Sequence, residues 1–167
     1  MPARSRRRSA RSCMSGERFT LDTNILVYSM DGGAGRRRQA AIEVIARAAL
    51  RDCALTLQAI SEFFSVAKRK NLMPVDKAAA QASDWLDLFP IAIVSKSAAR
   101  AALATSVAGQ LSYWDGLLLA TAAEAGCAAI LTEDMADGSV LHGVRIVNPF
   151  AGGGLSPEAE RLLGGSG

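Results

Sequence analysis

Short apolar runs alternating with longer segments of helical period predict an α/β domain of three layers, a central parallel sheet of about five strands with helices on both faces. The runs at 19–21, 53–57, 91–94, 128–132 and 144–147 are mostly apolar, as strands buried on both faces are. Long helical segments separate most of them, as parallel pairing requires of its crossovers. Half of the residues are hydrophobic but only 5% aromatic, which suits a core of Ala, Leu, Val and Ile, and 167 residues suffice for one domain of ordinary size.

The elements follow in order. Phe19-Thr20-Leu21 reads as a strand ended by Asp22, and 24–30 as a short helix before the Asp31-Gly32-Gly33 turn. Residues 36–51 carry Ile42, Ile45, Ala46, Ala49 and Leu50 at helical spacing. A strand at 53–57 leads into a helix over 58–70 with the stripe Ile60, Phe63, Phe64 and Ala67. Pro74 sits at the start of a helix over 75–88, closed by Pro90, and a strand at 91–94 follows. Helices over 96–108 and 113–124 end near Gly109 and Gly126, and strands at 128–132 and 144–147 complete the sheet. The expected domain covers residues 19–150. Residues 151–167, rich in glycine, read as a flexible tail in which Ser156-Pro157-Glu158 allows a short helix to Leu163.

The net charge of +3 conceals an asymmetry. Six arginines (4, 6, 7, 8, 11 and 18) fall within residues 1–18 against one acid, Glu17, leaving 13 basic and 15 acidic residues in the remainder. The leader is expected to be disordered, and either grips nucleic-acid phosphates or is simply solvated. It lacks the apolar stretch of a secretory signal, and Met14 offers an alternative start that would drop five of the six arginines. No apolar run reaches the roughly 20 residues of a membrane-spanning helix, so no membrane partner is expected. Three unpatterned cysteines, Cys13, Cys53 and Cys127, suggest a reducing compartment and hence the cytoplasm. With His142 as the only histidine, a Ser-His-Asp or Cys-His arrangement would rest on one residue, and no paired-spacing zinc motif can be built.

The carboxylates carry more. In an open α/β sheet, ligands bind beyond the carboxyl ends of the strands, where strand order reverses. Asp22 follows the first strand and Asp134 the fourth; Glu62 lies early in the helix after the second strand, and Asp115 in the first turn of the helix before the fourth. Asp115 belongs to a helix apolar nearly all round, with no Lys or Arg between Arg100 and Arg145 to compensate it. Each acid also has a plain structural reading. Asp22 can cap the helix starting near Asn24, Asp134 can be a turn residue, Glu62 can be a surface glutamate, and Ser112-Tyr-Trp-Asp115 fits a capping box. Four such acids clustered at one end of a sheet would repel one another unless divalent cations held them ionised, and Mg²⁺ or Mn²⁺ suits an all-oxygen set lacking His and Cys.

Leu21-Asp-Thr-Asn24, Ser61-Glu62, Ser112-Tyr-Trp-Asp115 and Leu131-Thr-Glu-Asp134, in this order, resemble the PIN-domain family of nucleases, and within it the VapC-type ribonuclease toxins of toxin–antitoxin pairs. The likeness runs from about Phe19 to Phe150. It implies a five-stranded parallel sheet, a Mg²⁺- or Mn²⁺-dependent acidic pocket, hydrolysis of RNA phosphodiesters, homodimers and a cognate antitoxin that blocks the pocket. By the same resemblance Asp22, Glu62, Asp115 and Asp134 are the catalytic, metal-binding acids. Asn24 and Thr132 match small polar neighbours able to order a water, and Asp137 is an additional ligand candidate through water.

An acidic pocket repels RNA until metal fills it, so nearby cations must supply affinity; Arg36, Arg37 and Arg38 and Lys68, Arg69 and Lys70 are the candidates, though the second group also suits a helix C-terminus. The alternatives fit less well. A haloacid-dehalogenase-like phosphatase needs a second Asp where this chain has Asn24, and a phosphoacceptor receiver domain wants a Lys after the last strand, where only Arg145 stands. A non-catalytic PIN-like module that binds RNA or protein is the remaining reading, disfavoured by acids at all four positions.

Overall fold

The computed structural model describes residues 16–164; the arginine-rich leader up to residue 15 and the last three residues lie outside the described residues. The elements run β1 (Phe19–Leu21), α1 (Thr23–Met30), α2 (Arg36–Ala48), β2 (Leu55–Thr56), α3 (Leu57–Arg69), α4 (Val75–Leu88), β3 (Ile91–Ala92), α5 (Lys96–Val107), α6 (Tyr113–Glu124), β4 (Ala129–Leu131), β5 (Val140–Leu141), β6 (Val144–Val147), β7 (Phe150–Ala151), β8 (Gly154–Leu155) and α7 (Pro157–Leu162).

The central sheet has the order β1-β4-β6-β5, with β1, β4 and β6 parallel and β5 antiparallel to β6. A parallel pair, β2-β3, continues this layer beyond β1 through a parallel bridge between Phe19 and Cys53. Five parallel strands therefore lie side by side, as expected. The antiparallel edge strand β5 is an addition that two residues of apolar sequence could not announce. The chain works outward from β1 to β3, then returns to lay β4 on the other side of β1, so the order reverses between β1 and β4.

Alternation along the strands shows the three layers. Leu21, Ala129, Leu131 and Val147 face a core built with α1, α2, α3, α4 and α7, whereas Ile130, Val144 and Ile146 face Leu118, Leu119 and Ala122 of α6. On the first side Phe63 meets Trp85 edge-on, ring centroids 4.7 Å apart. Residues Gly116 to Ala122 of α6 are buried without interruption, because one face covers the sheet and another packs on α5 through Ala98, Ala102, Leu117 and Ala120. Gly116 permits that approach: a Cβ there would stand 3.3 Å from the Cα of Ala102.

The segment read as a tail forms the β7–β8 hairpin, with Gly152 and Gly153 as its turn, and then α7, capped by Ser156 and opened by Pro157. Ala159 and Leu163 join the main core, and Arg47 of α2 binds Glu160 at 2.7 Å. No helix among the described residues is long and apolar enough to cross a membrane.

Candidate active site

Asp22, Glu62, Asp115 and Asp134 converge on one cleft of about 290 Å³, together with Thr23, Asn24, Tyr28, Arg69 and Lys70. The cleft sits at the carboxyl ends of β1 and β4, where the strand order reverses. Each acid arrives on a different element: Asp22 from the end of β1, Glu62 from α3, Asp115 from the first turn of α6 and Asp134 from the loop after β4.

Asp22 is the most buried of the four, at 8% exposure. It caps α1, its Oδ1 accepting from the Thr23 N–H at 2.6 Å, while its Oδ2 accepts from the Thr132 hydroxyl at 2.6 Å. Burial pushes its pKa up to about 6; the hydrogen bonds from Thr132 and Thr23 pull it down, and the charges of Asp134 and Asp115 raise it further. The capping reading of Asp22 thus holds together with its place in the cleft.

Thr132, fully buried, is the hub of this corner. Besides donating to Asp22, its oxygen accepts from the Asp134 N–H at 3.1 Å and from the Asn24 amide at 3.3 Å. Asn24 also donates to Asp134 Oδ2 at 2.9 Å, and its Oδ1 is buried without a partner. Glu62 accepts at both oxygens, from the Gln58 amide at 2.9 Å and the Thr23 hydroxyl at 3.1 Å. Asp115 forms half of the expected capping box with Ser112: its N–H donates to Ser112 Oγ at 3.1 Å, but its Oδ2 accepts from the Ser112 hydroxyl, at 2.7 Å, rather than from the Ser112 backbone N–H.

Asp137 is not part of the cleft lining; its Oδ1 accepts from the Asn148 N–H at 2.8 Å, tying the loop after β4 to the end of β6. Among the cationic candidates, Arg69 and Lys70 line the cleft, whereas Arg36, Arg38 and Lys68 do not. Arg37 stands beside it, bonded to Glu133 at 2.8 Å and lying over the ring of Tyr28, whose hydroxyl also bonds Glu133. Burial and Glu133 push the Tyr28 pKa up to about 12, so the phenol stays protonated.

Two residues that hold the acids escaped the sequence reading, Thr23 and Gln58, and so did Glu133, which holds Arg37 and Tyr28 beside the cleft. For Gln58 a signal existed, four residues ahead of Glu62 on one helix; for Thr23 and Glu133 none did, because their partners are distant in sequence.

The donor set fits a hard divalent cation. All four acidic groups are carboxylates, a neutral carbonyl oxygen of Asn24 has no partner, and burial together with the charges of Asp134 and Asp115 already raises Asp22. Among the described residues, no three His, Cys, Asp or Glu side chains are drawn close enough to grip one ion as they stand. Each acid instead leans on its own donor, as like charges do when only hydrogen bonds compensate them.

The PIN domain family matches residues 19–136. A comparison with curated proteins finds no match. Among solved structures, the fold resembles VapC20 of Mycobacterium tuberculosis, described as a sarcin–ricin loop cleaving toxin (17% identity, TM-score 0.59, covering 70% of this chain and 89% of that one). It also resembles a toxin–antitoxin complex from Klebsiella pneumoniae (24%, TM-score 0.58, 78% and 97%). A third likeness is to VapBC2 from Rickettsia felis bound to a DNA fragment from its promoter (14%, TM-score 0.51, 69% and 86%). With its acids gathered at the β1/β4 reversal and the family match spanning most of the domain, this chain belongs to the PIN-domain family.

Proposed function

We propose that this protein is a divalent-metal-dependent endoribonuclease and the toxin of a type II toxin–antitoxin pair, acting in the cytoplasm. The observation that carries the reading is the convergence of Asp22, Glu62, Asp115 and Asp134 from four elements on one cleft in a PIN-domain chain. In this reading the four carboxylates hold Mg²⁺ or Mn²⁺. When bound, such an ion supplies a Lewis acid that activates water and offsets charge on the attacked phosphate. The chain's own residues do the rest. Thr132, Asn24, Thr23 and Ser112 hold the carboxylates by their hydrogen bonds. Arg69 and Lys70 draw the RNA backbone towards a cleft whose acids alone would repel it. Arg37, held by Glu133, offers a further cation at the rim.

Support for the toxin role comes from the solved relatives, described as a loop-cleaving toxin and as toxin–antitoxin complexes. An antitoxin is accordingly the proposed protein partner, with RNA as substrate and a homodimer as the assembly. Beside the cleft, Leu57, Ile93 and Trp114 are exposed on a wider apolar groove, a surface of the kind a protein partner covers. The buried free thiols Cys53 and Cys127 accord with a reducing compartment.

The test is cleavage of single-stranded and looped RNA by the purified protein. Mg²⁺ or Mn²⁺ should support cutting, EDTA should stop it, and Asp115→Ala should slow it by about a thousandfold, several kcal/mol of lost charge stabilisation. Undiminished cutting in EDTA or by the variant would refute the reading. Induced expression should arrest growth, and co-expression of the adjacent small gene product should relieve it. Arg69→Ala and Lys70→Ala should each weaken RNA binding across sequences and reduce the log–log salt slope by about 1, read from binding isotherms at several salt concentrations.

A further inference from the structure

We infer that Gln58 is a positioning residue that aims Glu62 at the cation site and ties it to the helix carrying Asp115; the inference rests on the metal reading above. One amide nitrogen makes both connections. Gln58 Nε2 donates to Glu62 Oε1 at 2.9 Å and to the backbone carbonyl of Trp114, the residue before Asp115, at 3.1 Å. The amide cannot be turned over without setting its own carbonyl against a carboxylate and a second carbonyl, so its orientation is determined by its partners. The consequence appears at the other end of the amide, where Gln58 Oε1 is buried without a hydrogen-bond partner. A buried carbonyl oxygen left so is unfavourable. The arrangement therefore spends one acceptor to keep the donor on Glu62 and α6.

Glu62 needs such a device more than the other acids do. Asp22 and Asp115 are short side chains held by their own helix caps. Glu62 has a longer, freer side chain rooted inside α3, with no helix terminus to fix it. Gln58 takes Oε1 and Thr23 takes Oε2 at 3.1 Å, so both oxygens are oriented, one from α3 itself and one from α1. The same amide bridges α3 to the first turn of α6, so the spacing of Glu62 and Asp115 is coupled through one side chain. Groups that orient a ligating carboxylate in this way typically change metal affinity by about 10–100-fold when removed.

The experiment compares the full-length parent with Gln58→Met, which keeps the side chain's length and packing but has no N–H to donate. Mn²⁺ is titrated by calorimetry and thermal unfolding is followed in EDTA. The expected result is a Mn²⁺ affinity lower by about tenfold, a thermal midpoint in EDTA close to the parent's, and no further loss when Gln58→Met is added to Glu62→Gln. Gln58→Leu, which likewise has no N–H to donate, serves if Gln58→Met folds poorly, and Thr23→Val, which removes the other donor, should show the same dependence on Glu62. Affinity equal to the parent's, or a loss just as large in the Glu62→Gln background, would overturn the inference while leaving the metal reading intact. A parent that takes up no Mn²⁺ in excess of Asp22→Ala would overturn both.

Discussion

Asp22→Asn should abolish metal-dependent cleavage and at the same time stabilise the metal-free protein above pH 6. Both effects come from one buried carboxylate. Its pKa stands at about 6 in the fold against 3.8 in the unfolded chain, chiefly through burial. The folded state thus binds the proton more tightly than the unfolded state does. The stability this contributes is fully present below pH 3.8 and is lost as pH rises through 6. At neutral pH the ionised group costs at most about 3 kcal/mol, which for a chain of this size is several degrees in thermal midpoint. Asparagine carries no charge to desolvate, so the difference between parent and variant should open between pH 4 and 6 and then stay constant. Millimolar Mg²⁺ at pH 7.5 should raise the parent's midpoint and leave the variant's in place, since the cation restores a partner to the ionised carboxylate. Parallel pH profiles of the two proteins in EDTA would show that burial of Asp22 does not govern this part of the stability.

The second large effect is structural. Phe63 is wholly buried, its ring edge-on to Trp85 and packed within the core between α3 and α4. Phe63→Ala should cost about 3–5 kcal/mol, the sum of lost transfer energy and the cavity left behind. Urea unfolding should show it as a lower midpoint at an unchanged slope. Because Phe63 follows Glu62 on α3, the variant should lose cleavage together with folded structure, in contrast to Gln58→Met. A loss below about 1 kcal/mol would mean that the core repacks around the gap.

Much of this protein was legible in order along the chain. The five parallel strands and the helices between them follow from hydrophobic period, because burial on one or two faces leaves its mark on sequence locally. That the four acids share one edge was legible too, since Asp22 and Asp134 follow strands, Asp115 opens α6 and Glu62 lies in the helix after β2, and the carboxyl ends of parallel strands share one edge. Ser112 and Asp115 announced their pairing at the start of α6, three residues apart, although the carboxylate takes the Ser112 hydroxyl rather than its backbone N–H. Even Asp22 as the cap of α1 was readable, being the last residue before a helix.

What tertiary structure alone decided is how those acids are held and which cations stand beside them. Thr132 reaches Asp22 across 110 residues, Asn24 reaches Asp134 across 110, and Thr23 reaches Glu62 across 39. Of six basic candidates, only Arg69 and Lys70 line the cleft, because the last turn of α3 ends there, while Arg37 is claimed by Glu133. The short β5 and the β7–β8 hairpin form where neighbours supply hydrogen bonds, and α7 is stable where the core accepts Ala159 and Leu163. Sequence by itself determined what recurs locally: the period of the elements, their caps and the kind of group at each strand end. The raised pKa of Asp22, the partnerless Asn24 oxygen and the Gln58 bridge depended on contacts between distant segments, for which local sequence carries no period.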